Sequence, residues 1–309
     1  MSTSQIIGID FGGTSVKLAV IEGSELLTDV MRIPTQEFDG PDPLIDAIIE
    51  KVWEVRQSFP EVAAIGIGVP GAVDVFKGVT YNLTNVRGWS SVPLRDLIRG
   101  KTGLPTALDN DANCMAYAEF KYGAGQGFSN VVCVTLGTGV GGGLILNGDL
   151  FRGSQYAAGE IGQMSVDYAG VEGPYGNSGC LERYIGNRQI KEMAAGMYRE
   201  KRLDLPEDHT PEGLTSLAKE GDPVALEVWD RVATYLANSL MSTIYLLNPD
   251  ALVIGGGVAH AGDLLFDPLK RKLRDSLTSE CFDHLSVVRA RFGNTAGMLG
   301  CSAIAAELL

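Results

Sequence analysis

The chain has 309 residues, of which 45% are hydrophobic and 20% are charged, the composition of an ordinary globular protein. Its 25 Lys and Arg residues against 38 Asp and Glu residues give a formal net charge of −13. No basic block occurs, so the clustered positive charge that nucleic acids or acidic membranes require is missing, and we expect neither partner. The length is sufficient for two lobes.

The cysteines are odd in number and dispersed, and most lie in apolar segments, which indicates free thiols in a reducing compartment rather than a disulfide framework. The N-terminus has no basic region followed by an apolar stretch. No apolar segment reaches the length of a membrane span. We therefore expect a cytoplasmic protein with free thiols at Cys114, Cys133, Cys180, Cys281 and Cys301.

An internal repeat organises the chain. Residues 6–21 form an apolar run, a glycine pair and an alternating β-rich segment, the pattern of a hairpin with a glycine turn. Residues 131–146 repeat this pattern, and a shift of about 125 positions aligns the glycine turns and places Val20 on Ile145. One such hairpin in each half of the chain predicts a duplicated α/β fold, with two lobes around a cleft.

The remaining periodicities are assigned in chain order from apolar spacing, capping residues and turn signals. Helices are predicted over residues 41–59, 111–121, 223–247 and 295–308, strands over 62–69, 251–254 and 287–292, and a glycine-rich loop over 167–179. We expect a small lobe over residues 1–110, completed by the C-terminal helix 295–309, and a larger lobe over 111–294.

A cluster of Asx residues precedes the second predicted helix. Asp109, Asn110 and Asp111 stand together before the apolar run. Such residues most often cap a helix, because their side-chain oxygens accept the first backbone N–H groups. One cap needs only one of them, which leaves carboxylate and amide groups at the exposed helix end.

Several common motifs fail in their structural context. Residues 66–71 and 137–142 match the dinucleotide fingerprint by letter, but no helix follows either stretch, and Pro70 interrupts the first. Gly100 and Lys101 resemble the end of a P-loop, yet Arg95 stands where its first glycine should be. The histidines have no nucleophile elbow beside them, so a hydrolase triad has no support.

The two glycine hairpins point to phosphate. Turns without Cβ atoms let backbone N–H groups approach phosphate oxygens, and neighbouring Thr and Lys side chains add a hydroxyl and a charge. Asp10 at the end of the first strand could hold Mg²⁺, directly or through water. Ordinary tight β-turns are the alternative, but two related copies with Asp10, Thr14, Lys17 and Thr138 favour phosphate.

Six motifs in this order resemble the ROK family of bacterial sugar kinases over essentially the whole chain. This resemblance implies an actin-like, hexokinase-like ATPase fold and a homodimer. Family members that repress transcription carry an N-terminal helix-turn-helix domain, whereas this chain begins with the hairpin, so it resembles the kinase branch. The motifs are residues 10–14, 109–113, 136–143, 160–162, 179–182 and 255–257.

The resemblance also implies roles for particular residues. Asp111 would be the catalytic base that accepts the proton of the attacking sugar hydroxyl, a role that suits a positioned carboxylate. The sugar ligands would be Asn110, Glu160 and Glu182, with Gly71 at the pocket edge. The ATP and phosphate ligands would be Asp10, Gly12, Gly13, Thr14, Lys17, Gly137, Thr138, Gly139, Gly256 and Gly257, with Mg²⁺ on Asp10.

The chain departs from the family at the positions that bind zinc in most members. Most members bind a structural zinc through one His and three Cys, and these positions are occupied here by Gln163, Gly173, Tyr175 and Cys180. Because Gln is a poor zinc ligand beside His and thiolate, we predict no zinc. Gln163 can still exchange hydrogen bonds with a sugar. The loop 167–179 would then be held by packing of Tyr168 and Tyr175, or ordered when sugar binds.

The resulting hypothesis is an ATP- and Mg²⁺-dependent kinase that phosphorylates the 6-hydroxyl of a hexose, with glucose favoured. N-acetylmannosamine, N-acetylglucosamine, fructose and allose are alternatives, because the same carboxylates and amide serve them all. Two further classes stay open. One is a non-catalytic sugar sensor, suggested by the altered zinc motif, and the other is a kinase that uses polyphosphate or another donor.

Overall fold

The computed structural model describes residues 4–83 and 86–309. The strands are β1 (Gln5–Phe11), β2 (Ser15–Glu22), β3 (Glu25–Leu26), β4 (Met31–Pro34), β5 (Val62–Val69), β6 (Val73–Asp74), β7 (Val79–Thr80), β8 (Thr106–Asn110), β9 (Val131–Leu136), β10 (Val140–Leu146), β11 (Asp149–Phe151), β12 (Ala251–Gly255) and β13 (Ser286–Arg289). The α-helices are α1 (Pro41–Ser58), α2 (Leu94–Thr102), α3 (Asp111–Tyr122), α4 (Glu182–Ile185), α5 (Asn187–Glu200), α6 (Pro211–Lys219), α7 (Pro223–Leu247), α8 (Asp263–Ser276), α9 (Ser279–Phe282) and α10 (Ala296–Ala306).

Two sheets of the same topology form the frame. The first has the order β3-β2-β1-β5-β8, with β4 also on β2, and the second has the order β11-β10-β9-β12-β13. Each begins with an antiparallel hairpin, β1–β2 or β9–β10, and continues through two parallel strands. This confirms the predicted duplicated α/β fold with two lobes.

The repeat is confirmed in its first strand and was wrong by one residue in its second. Phe11 pairs with Val16 in the first hairpin, whereas Leu136 pairs with Val140 in the second, so the second turn is one residue shorter. Val20 is therefore equivalent to Leu144 and not to Ile145. Because side chains alternate along a strand, this shift exchanges the two faces of β10 relative to the sequence alignment.

Helices α3 and α10 cross between the two sheets. Helix α10 packs on β1 and β5, α3 packs on β10, and the two helices contact each other extensively. Glycines permit these close approaches, because a Cβ on Gly66 would overlap the Cys301 carbonyl and one on Gly143 would overlap the Ala116 side chain. In β10, Gly143 therefore serves helix packing rather than phosphate binding.

The predicted elements are present, and the largest difference in their bounds is in the last strand. The last strand ends at Arg289 instead of continuing to residue 292. Past this point the N–H groups of Arg291 and Phe292 donate to the buried Glu119 carboxylate of α3, at 2.7 and 2.9 Å, and no longer follow the strand. Within the described ranges, no helix combines the length and the hydropathy needed to cross a membrane.

Candidate active site

The Asx cluster joins β8 to α3, and its residues have different roles. Asn110 is the N-cap: its Oδ1 accepts the N–H groups of Ala112 and Asn113 at 2.9 and 3.3 Å. Its Nδ2 donates to the Gly71 carbonyl at 3.0 Å, which ties the helix end to the turn after β5. The capping interpretation therefore holds for Asn110. Asp111 occupies the first helical position, and its side chain is not the N-cap.

Asp111 sits among other carboxylates. Its pKa is raised to about 6, chiefly by burial; the negative charges of Asp10 and Glu160 contribute to this rise, and its hydrogen bond from the Ala112 N–H opposes it. A carboxyl with a pKa near 6 is ionised at neutral pH and is more basic than an exposed aspartate. These are the properties of a general base that acts on a hydroxyl group.

Asp10 lies at the end of β1, opposite Lys17 of β2. Its Oδ2 is 3.3 Å from Lys17 Nζ, and both side chains are largely buried. Burial raises the pKa of Asp10, and the Lys17 ammonium opposes this shift. The start of α10 also packs here, since a Cβ on Gly297 would lie 2.9 Å from the Asp10 carboxylate carbon. An oxygen ligand beside a phosphate turn fits Mg²⁺.

The tips of both hairpins face solvent. Gly13 and Thr14 are exposed in the first turn, and Thr138 is exposed in the second. The N–H groups of Gly12 and Gly137 close their own turns, onto Ser15 O and Gly139 O at 2.9 Å. The groups that can reach a phosphate are therefore carried by the exposed tips.

The turn after β12 lies beside the second hairpin. Gly256 has φ +84°, and a Cβ there would overlap the Leu136 carbonyl oxygen. Only glycine accommodates this backbone without strain. Gly257 faces Glu212 in the first turn of α6. The structure thus brings the two predicted nucleotide-binding glycines next to the predicted phosphate turn.

An open pocket lies along helix α5, which contacts the second hairpin, and was not predicted from the sequence. Helix α5 begins at Asn187, whose N–H donates to Gly137 O at 2.8 Å. The pocket of about 370 Å³ lies along the same helix and against the segment before α6. Its lining residues combine three basic groups with one carboxylate: Arg188, Lys191, Glu192, Ala195 and His209. Their spacing along α5 is that of one helix face, the signal that could have indicated them.

Glu160 and Glu182 lie close enough for their charges to interact. Burial raises the pKa of Glu160, and the neighbouring Glu182 charge adds to the shift. Glu182 at the start of α4 accepts the Val140 N–H at 3.0 Å, and a Cβ on Gly139 would overlap its carboxylate. Glu182 therefore contacts the second hairpin directly and connects the expected sugar side of the site with the phosphate side.

Gln163 ends a short 3₁₀ turn, Ile161–Gln163, that begins beside Glu160. Its backbone carbonyl accepts Asn177 Nδ2 at 2.9 Å. Its side-chain Oε1 is buried and has no hydrogen-bond partner within residues 4–83 and 86–309. A buried acceptor without a partner is costly, and a ligand hydroxyl would satisfy it.

The loop 167–179 is ordered in a way that the sequence did not predict. Tyr168 and Tyr175 are 93% and 81% exposed, so the expected packing of these rings was wrong. Tyr184 holds the loop instead: its hydroxyl contacts Asp167 Oδ2 at 3.3 Å and accepts the Val171 N–H at 3.1 Å. Backbone hydrogen bonds close the rest.

The residues at the family's zinc positions do not fit a zinc ion. Gly173 has no side chain, Tyr175 is exposed, and only Cys180 offers a thiol, which is buried against Gly173. Asn177 joins the loop to Gln163 by a hydrogen bond, as described above, in the segment where the family places metal ligands. Structural zinc requires four ligands, mostly nitrogen and sulfur atoms, and these positions offer one thiol.

Two sheets of equal topology, each opened by a glycine hairpin and crossed by α3 and α10, define the actin-like and hexokinase-like class of ATPase folds. A family model described as the ROK family matches residues 6–307. The chain belongs to this family, which confirms the predicted membership.

Characterised relatives are similar over nearly their whole length. The glucokinase of Halalkalibacterium halodurans is 35% identical, in an alignment that covers 97% of this chain and 94% of the relative. The N-acetyl-D-glucosamine kinase of Shigella boydii is 33% identical, with coverage of 96% and 97%. The crystal structure of a ROK family glucokinase from Streptomyces griseus, in complex with glucose and AMPPNP, is 30% identical, with a TM-score of 0.79 and coverage of 98% and 99%.

Proposed function

We propose that the protein is an ATP-dependent hexose kinase that transfers the γ-phosphoryl group of Mg-ATP to the 6-hydroxyl of its sugar, and that glucose is the substrate. The observation that carries this proposal is Asp111. It stands at a helix N-terminus, near enough to Asp10 and Glu160 to be affected by their charges, with its pKa raised to about 6. Similarity to a glucokinase and to a glucokinase structure with bound glucose supports the choice of sugar.

On the acceptor side, the ionised Asp111 carboxylate would accept the proton of the sugar hydroxyl as that oxygen attacks phosphorus. Glu160 and Glu182 would accept hydrogen bonds from other sugar hydroxyls. The Asn110 amide, which lies beside Gly71, would add a donor, and the buried Gln163 Oε1 would add an acceptor. The chain would thereby orient one hydroxyl toward the donor and exclude competing water.

On the donor side, the phosphates would lie between the two hairpin tips. Gly13 and Thr14 of the first turn and Thr138 of the second would contact them, with Lys17 supplying a positive charge, within the set Asp10, Gly12, Gly13, Thr14, Lys17, Gly137, Thr138 and Gly139. Asp10 would hold Mg²⁺, which neutralises the charge that develops on the transferred group. The adenosine would lie by Gly256 and Gly257, toward the pocket that contains Lys191 and His209.

N-acetylglucosamine is a second candidate substrate, because a relative with this specificity is 33% identical over 96% of the chain. N-acetylmannosamine, fructose and allose, a polyphosphate donor and a non-catalytic sugar sensor stay alternatives. We also propose that the enzyme works without zinc, because Gln163, Gly173, Tyr175 and Cys180 do not form a zinc donor set.

We further propose a homodimer, following the family resemblance, and two lobes at residues 1–110 with 295–309 and at 111–294. Exposed apolar side chains at the end of α7, Tyr245 and Leu246, are compatible with a contact between copies. Light scattering would give the mass in solution. A monomer at micromolar concentration would contradict the dimer.

The test of the function is ADP release with Mg-ATP and a panel of hexoses and N-acetylhexosamines, with and without a zinc chelator. We expect turnover on glucose that the chelator leaves unchanged. Turnover on N-acetylglucosamine alone would favour the second candidate, and chelator-sensitive turnover would contradict the zinc-free pocket. Sugar binding without ADP release would indicate a sensor, and turnover with polyphosphate but not ATP would change the donor.

A further inference from the structure

An ion pair joins the two sheets next to the Asx cluster. Arg152 follows β11 of the second sheet, and its Nε lies 2.6 Å from Oδ2 of Asp109 at the end of β8 in the first sheet. The Asp109 side chain is only 2% exposed, whereas 27% of the Arg152 side chain is accessible. A buried carboxylate needs such a counter-charge.

The other oxygen of Asp109 organises the residues around Asp111. Asp109 Oδ1 accepts the Asn110 N–H at 2.8 Å and Asn113 Nδ2 at 2.9 Å. Together with Arg152, these donors hold both carboxylate oxygens and fix the rotation of the side chain. Asn110 and Asn113 flank Asp111 and share the capping bonds that begin α3. The path from Arg152 to the first turn of α3 therefore consists of consecutive hydrogen bonds.

We propose that Arg152 is a positioning residue for phosphoryl transfer: through Asp109 it fixes the first turn of α3 and so the direction of the Asp111 carboxylate. This inference rests on the proposed role of Asp111 as the base. Arginine suits the task because its planar guanidinium binds a carboxylate in a defined orientation, which a lysine ammonium does not impose.

The expected signature is a loss of kcat with little change in substrate binding. Misplacing a catalytic group by about 1 Å can cost on the order of 10²-fold in rate. We therefore expect Arg152→Gln to lower kcat by about 10- to 100-fold while the KM values for glucose and ATP stay within about twofold. Arg152→Lys keeps the charge and should recover part of kcat.

A double variant separates positioning from simple charge neutralisation. In Arg152→Gln with Asp109→Asn, position 109 no longer carries an unpaired buried charge, so the melting temperature should recover toward that of the native protein. The orientation that the guanidinium imposes is still missing, so kcat should stay low. Arg231→Gln is the matched control, because Arg231 pairs with Glu227 at 3.0 Å on the surface of α7. It should leave both kinetic constants unchanged.

The experiment measures kcat, both KM values and thermal melting for these variants and for Asp111→Asn in the full-length chain. If Arg152→Gln is too unstable to assay, Arg152→Lys and the double variant decide. Unchanged kcat in folded Arg152 variants, recovery of kcat together with stability in the double variant, or a loss confined to the glucose KM would each overturn the proposal. Asp111→Asn that retains turnover would instead refute the base, independently of Arg152.

Discussion

The two glycine hairpins are copies of one unit that have taken different roles. The β1–β2 hairpin carries the Asp10–Lys17 ion pair at its mouth. At the equivalent positions of the β9–β10 hairpin stand Thr135 and Gly141, paired across the ladder, and its turn contacts the Glu182 carboxylate through Val140 N–H. The first copy thus brings charge to the cleft, and the second brings backbone and a connection to the sugar side.

This difference teaches that similar turns need not contribute equally to phosphate binding. A charged group that contacts phosphate contributes more than a neutral donor. The second hairpin is also shorter by one residue and uses its glycines partly for contact with α3. Substitutions at matched positions should therefore have unequal effects.

Of the two hairpins, the charged β1–β2 copy is expected to show the larger effect. Lys17→Met removes the charge that pairs with Asp10 and that we propose contacts the phosphates, so kcat/KM for ATP should fall by about 10- to 100-fold, the range for hydrogen bonds to charged groups. Thr138→Val in the other hairpin removes a neutral hydroxyl and should cost no more than about tenfold.

Steady-state kinetics with varied Mg-ATP measures both variants. Lys51→Met is the control, because Lys51 pairs with the exposed Glu54 on the surface of α1, and surface pairs contribute little. Equal losses in the Lys17 and Thr138 variants would contradict the division of roles between the hairpins.

A smaller effect concerns stability at the turn that adjoins the second hairpin. Gly256→Ala places a Cβ at φ +84° and against the Leu136 carbonyl, so it should destabilise the fold by about 1–3 kcal/mol. Chemical denaturation measures the change.

Gly100→Ala is the matched substitution, because Gly100 lies inside α2 with open space around it. It should stabilise the protein by about 0.5–1 kcal/mol. Tolerance of alanine at Gly256 would mean that its close approach to the β9–β10 turn is not needed.

A stability effect that depends on pH is expected in Asp111→Asn. Because the pKa of Asp111 is raised to about 6 in the folded chain, the folded state binds the proton more tightly than the unfolded state. The aspartate therefore costs stability increasingly as pH rises from about 4 through 6. Asp111→Asn should be more stable than the native protein at pH 8, by at most about 3 kcal/mol, and equally stable near pH 4.

Urea unfolding of both proteins at the two pH values checks this expectation. A stability gain that is the same at pH 4 and pH 8 would show that titration of Asp111 is not its cause.

Local pattern predicted much of the fold and part of the site. The strand–glycine–strand units and the capped helix at Asn110 depend on neighbouring residues, and the structure contains them. Arg152 could not be predicted in the same way, because it meets Asp109 from 43 residues away. The basic pocket with Lys191 and His209 likewise forms only when two distant segments fold together.

Aromatic packing was the least predictable feature. Tyr168 and Tyr175 were expected to hold the loop, yet both rings face solvent. Tyr184 holds the loop instead, and its ring stacks on Tyr235 with 4.4 Å between the ring centroids. Nothing in the spacing of these tyrosines distinguishes a buried ring from an exposed one, since the space available is set by α7. The predicted roles of the individual site residues, including Asp10, Glu160 and Gln163, stay predictions.

The most direct test of the central claim is single-site replacement of Asp111. ADP release by Asp111→Asn with saturating Mg-ATP and glucose should fall by about 10²- to 10⁴-fold, the contribution typical of a general base, in protein that melts at or above the native temperature at pH 8. Turnover within about tenfold of the native enzyme would contradict the account, because phosphoryl transfer would then not depend on the Asp111 carboxylate as its base.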